Sequence, residues 1–75
     1  MSIDREKLLR MAHQIAANLD YGDEQAVIAG NVASHLQRFW DPRMREAILI
    51  YLAEDPEAFS PVLQQALPLL TPTPA

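Results

Sequence analysis

Residues 38–45 read RFWDPRMR, and this octapeptide decides how the chain is divided. The residue before a proline is driven towards extended backbone, and proline at the first helical position loses only a hydrogen bond that was never available there. The aspartate in front of it can accept from the amides that a helix start leaves unpaired. Asp41-Pro42 therefore ends one helix and begins the next, and the eight residues form the corner between them.

Working outward towards the amino end, Ile28, Ala29, Val32, Ala33, Leu36, Phe39 and Trp40 recur at helical spacing. They predict a second helix that Asp23 caps and that carries Arg38 near its C-terminus, where a cation is favourable. Both aromatics fall on its apolar stripe, and in the plain account they simply complete the core. Gly30 in its middle costs about 1 kcal/mol against alanine, which predicts a close helix contact in this chain or with another. Before it, Leu8, Met11, Ala12, Ile15, Ala16 and Leu19 make the stripe of a first helix, capped by Ser2 or Asp4 and ended by Gly22.

Towards the carboxyl end, residues 47–53 read AILIYLA, apolar for nearly two turns. A helix hydrophobic around its whole circumference is expected at the centre of the fold, and in so short a chain some apolar surface should remain uncovered. The Asp-Pro device recurs at Asp55-Pro56, with Ser60-Pro61 as a variant, and predicts a short turn and then a two-turn helix around Val62 to Leu67, closed by Pro68. No segment alternates with period two and no hairpin dipeptide is present. The predicted fold is all-α, a small bundle or orthogonal array of three helices plus a short C-terminal fourth. Residues 1–70 form its single domain and 71–75 a disordered tail.

A 75-residue domain buries only roughly 60–65% of its unfolded surface, and without cysteine no disulfide or thiolate site can reinforce it. The net charge of −4 and pI near 4.9 repel polyphosphate, so nucleic acid is not an expected partner. No run approaches the roughly 18 apolar residues that span a bilayer, and the reading is a cytoplasmic protein without membrane attachment.

Catalytic patterns are missing as well. Neither His13 nor His35 has a histidine or carboxylate three or four residues away, as a helical metal pair requires. Ser2, Ser34 and Ser60 lie in no nucleophile elbow, and Gly22 and Gly30 make no phosphate loop. Asp20, Asp23 and Glu24 read as turn and cap residues. The chain is expected not to be an enzyme by itself, and to hold no cofactor or metal.

The corner is the exception. Arg38, Arg43 and Arg45 are three of the six basic residues, and no Lys or Arg lies between Met11 and Gln37. Arg43 and Arg45 fall in the first turn of the third helix, where a cation costs about 0.3–1 kcal/mol relative to an acid. In the plain account Asp41 and Glu46 pair with them on the surface. In the functional account Arg38, Phe39, Trp40, Asp41, Pro42, Arg43, Met44 and Arg45 form a partner-binding site, since Arg, Trp and Met are enriched at interfaces.

Two blocks, LLRMAHQIAANL at residues 8–19 and RFWDPRMR at 38–45, resemble the delta subunit family of NAD-dependent, molybdenum- or tungsten-containing formate dehydrogenases of bacteria. The likeness spans roughly residues 7–54, and His13 stands where the family pattern has asparagine. The resemblance implies a small non-catalytic subunit of a cytoplasmic complex whose larger chains carry molybdopterin, iron-sulfur clusters and flavin. The implied partners are those larger subunits, the catalytic alpha subunit first. Asp41-Pro42 would fix the corner, Phe39 and Trp40 pack it, and the arginines project outward to dock and to stabilise the assembly. A maturation chaperone for the apo-enzyme and a self-associating helical module that buries its apolar excess in a homodimer are the alternatives.

Overall fold

Four α-helices build the computed structural model, which describes residues 4–70: α1 Arg5–Asn18, α2 Gln25–Phe39, α3 Pro42–Glu54 and α4 Pro61–Ala66. Turns of 3-10 helix follow α3 at Pro56–Ala58 and α4 at Leu67–Leu69. There is no strand among the described residues, as the periodicity predicts. Ser2 and the tail at 71–75 lie outside the described residues.

Each helix start has a local cause. Asp4 Oδ1 accepts from the amides of Glu6 and Lys7 at 3.0 and 3.4 Å, fixing the amino end of α1. Asp41 Oδ1 accepts from Met44 N at 3.0 Å with Pro42 in the first turn of α3, as the corner predicts. Ser60 Oγ takes the Leu63 amide at the start of α4. Asp23 does not cap α2: Asp20 Oδ1 captures the Gly22 amide at 3.1 Å in a side-chain turn, Gly22 takes a φ of +86°, and the helix starts later behind Glu24. The cap of α2 thus comes from the Glu24 carbonyl oxygen, which accepts from Val27 and Ile28, and not from a side chain. Gly22 lies three residues beyond Leu19, the C-cap of α1, so it shapes the turn and does not end the helix. Asp55 likewise caps nothing with its carboxylate. Pro68 tightens the chain into the second 3-10 turn where closure was expected, and that turn swings Leu67 and Leu70 into the core.

The centre of the fold is α2, not α3. Ile28, Ala29, Val32, Ala33 and Leu36 of α2 are buried, and this helix packs most extensively on α4 and also on α1. On α3 only Arg45 and Ile48 are buried, while α1 covers one side. The apolar run of α3 exceeds its cover: Ile50 is exposed, and Leu49, Tyr51 and Leu52 are half-buried. That surplus is the uncovered apolar surface the sequence predicts. Gly30 makes no close contact: a methyl group there would meet nothing within 4 Å. No close contact among the described residues accounts for its cost to α2.

His13 joins α1 to the start of α4. Its Nδ1 lies 2.9 Å from Leu9 O and its Nε2 takes the Ser60 amide at 3.2 Å, with the ring beside buried Phe59. A neutral imidazole donating from Nδ1 and accepting at Nε2 satisfies both contacts at once.

Candidate functional site

The Asp-Pro step sends the eight residues of the corner in three directions. Trp40 and Arg45 turn inward, 5% and 8% exposed. Arg38 and Phe39 face solvent along the end of α2, and Arg43 and Met44 face a cleft shared with α1. Two of the sequence expectations fail here. Phe39 is 69% exposed and adds nothing to the core, because α2 ends on it and the chain leaves the helical path at Trp40, whose backbone is extended. Arg45 does not project outward with the other arginines.

The inward turn of Arg45 resolves its unfavourable position in the sequence. Its guanidinium Nη1 donates to the carbonyl oxygen of Trp40 and, at 3.3 Å, to that of Gln37. These are C-terminal carbonyls of α2, which lack helical partners and carry the negative end of that helix's dipole. A cation misplaced for α3 is thus well placed for α2. The Trp40 amide closes the same turn on Leu36 O at 3.0 Å, and the Arg45 amide makes the first helical bond of α3 to Asp41 O at 3.1 Å. Together they hold the corner from both sides.

Outside this locked corner lie two recesses. One, of about 300 Å³, is lined by Leu19, Tyr21, Asn31, Ser34, His35, Arg38 and Phe39. Phe39 lies against His35 at 4.7 Å between ring centroids and under the Arg38 guanidinium at 5.8 Å. Tyr21, from the α1–α2 turn, is 76% exposed beside it. The other, of about 430 Å³, is lined by Asp4, Lys7, Leu8, Met11, Asp41, Arg43 and Met44. Among the described residues neither Arg38 nor Arg43 forms an ion pair, so the plain account's surface pairing with Asp41 and Glu46 is not made by these two. The ion pair present joins Arg5 to Glu54 at 3.7 Å, with Arg5 also over the Tyr51 ring.

Sequence reasoning found the corner but missed Tyr21, Lys7, Leu8 and Met11, which reach the two recesses from other elements. Only Lys7 left a signal, as a second cation in a helix's first turn.

Among the described residues no group of three or more His, Asp or Glu could hold a metal ion, and no helix is long and apolar enough to cross a membrane.

Fold and site thus define a small all-α protein with a hydrogen-bonded interhelical corner that exposes aromatic and arginine side chains. Residues 7–67 match the model of the family described as NADH-dependent formate dehydrogenase delta subunit FdsD, and the chain belongs to that family. The match contains both blocks and continues past residue 54 through α4. Neither the curated proteins nor the solved structures yield a match.

Proposed function

We infer that the protein is a non-catalytic subunit of a cytoplasmic formate dehydrogenase, docking on the larger subunits and stabilising their assembled state. The observation that carries this reading is the division of labour within residues 38–45. Trp40, Asp41, Pro42 and Arg45 hold the corner, and Arg38, Phe39, Arg43 and Met44 are presented by it. An aromatic ring left mostly exposed beside an arginine that has no ion pair among the described residues, on a hydrogen-bonded support, is the composition of an interface anchor. A rigid support also limits the ordering entropy that association would otherwise cost.

Stabilisation follows by mass action: a chain that binds the folded partner and not its unfolded form shifts the partner towards the folded state. The catalytic alpha subunit is the first candidate partner. The test is a chain carrying Arg38→Glu and Phe39→Ser, both at exposed positions, expressed with an affinity tag in the native host. The variant should melt only a few degrees below the wild type, because an anion replaces the favourable cation in the last turn of α2, and lose at least ten-fold in recovered formate dehydrogenase subunits. Undiminished recovery would contradict the assignment of these residues.

A further inference from the structure

The larger recess carries an inference beyond residues 38–45. It lies between the amino-terminal turns of α1 and α3, with Leu8, Met11 and Met44 as apolar lining and Lys7 and Arg43 as its cations. Both cations sit in the first turn of their helices, where the dipole disfavours positive charge. The other cation in such a position, Arg5, is accounted for by Glu54 and Tyr51, and Arg45 by the carbonyls of α2. Lys7 and Arg43 have no ion-pair partner among the described residues. The two carboxylates in the lining, Asp4 and Asp41, accept from the amides of their own helices, whose positive ends offset about half a charge each, so that cations and helix ends together outweigh the acids. Two cations without an ion pair among the described residues, from distant parts of the sequence, therefore flank one apolar floor, two of whose three residues are adaptable methionines.

We propose that this cleft receives an acidic segment of a larger formate dehydrogenase subunit, seating an apolar side chain on Leu8, Met11 and Met44 and carboxylates on Lys7 and Arg43. The proposal rests on the subunit reading above and adds the partner's chemistry. Arginine takes a carboxylate with two parallel hydrogen bonds, and the apolar floor supplies the area that a charge pair alone lacks. A second copy of this chain is the poorer occupant, because each copy carries a net charge of −4 and repels the other.

The test uses the tagged full chain with Lys7→Glu and Arg43→Glu in the native host, quantifying the larger subunits recovered with it. An acid in either position agrees with its helix dipole, so the double variant should melt no lower than wild type while recovery falls at least ten-fold. The neutral Lys7→Gln, Arg43→Gln pair should fall between. A photo-reactive benzoylphenylalanine in place of Met44 should cross-link to a larger-subunit segment with acidic residues beside an apolar one. Undiminished recovery of the charge-reversed chain overturns the cleft and leaves the subunit reading standing. A cross-link to a second copy, or to a segment without acids, overturns the proposed occupant. Failure of the wild type to recover any larger subunit overturns both readings.

Discussion

Arg45 donates across the corner to the carbonyl oxygen of Trp40, so a side chain at the start of α3 completes the last turn of α2. Removing it would take the donor from the buried Trp40 carbonyl oxygen and leave Arg38 as the cation at the end of α2. Hydrogen bonds from charged groups contribute about 1.5–3 kcal/mol, and orphaned acceptors add to the loss. Arg45→Ala is therefore expected to destabilise the chain by about 2–3 kcal/mol, read as a lower urea midpoint with an unchanged m-value. Arg45→Lys should recover only part of this, since an ammonium keeps the charge but is more strongly hydrated than a guanidinium and costs more to bury. For the same reason, charge reversal at Arg45 would report on folding and not on docking.

Asp41 and Asp55 precede proline alike, yet only Asp41 uses its carboxylate as a cap. Asp41→Ala should lose about 1 kcal/mol and Asp41→Asn almost nothing, asparagine being an equal cap. Asp55→Ala should change stability by less than about 0.5 kcal/mol. Parallel thermal melts of the three variants would check this, and equal losses at Asp41 and Asp55 would contradict it.

Gly30 lies in an open stretch of α2, and a methyl group there meets nothing within 4 Å. Gly30→Ala should raise stability by about 1 kcal/mol, the difference in helix propensity. A melting temperature below wild type would mean that α2 is more crowded there than the geometry indicates.

His13 serves α1 and α4 together through Leu9 O and the Ser60 amide. His13→Ala should lose about 1–2 kcal/mol, the Ser60 amide being left without its acceptor. Nitrogen NMR of the wild-type imidazole should show the proton on Nδ1; a proton on Nε2 would exclude the bond from Ser60.

Most of the fold was legible because its signals are local. Asp41-Pro42 stops and restarts the chain through its own backbone chemistry, and the stripe from Ile28 to Leu36 is buried along its length. What escaped the sequence depends on partners in space. Arg45 reads as an outward cation until α2 ends beside it, and Phe39 reads as core because the helical period continues one residue past the point where the cover stops. Asp23 lost the cap of α2 to a competing turn at Asp20, a rivalry that cap propensity alone does not resolve. The apolar run of α3 suggested a central helix, yet hydrophobicity states what a helix requires and not what the chain supplies. The candidate site was half legible: residues 38–45 stood out by composition, while Tyr21, Lys7, Leu8 and Met11 joined it only through packing.

In the proposed role this chain is a working part of a formate dehydrogenase. The most direct measurement is its stoichiometry in the enzyme purified from the native host through a tag on this chain under gentle salt, with the recovered subunits counted by mass spectrometry and formate oxidation assayed in the same fraction. The account predicts recovery in fixed ratio with the larger subunits in an active complex. Recovery alone, or only with inactive apo-enzyme, would contradict it.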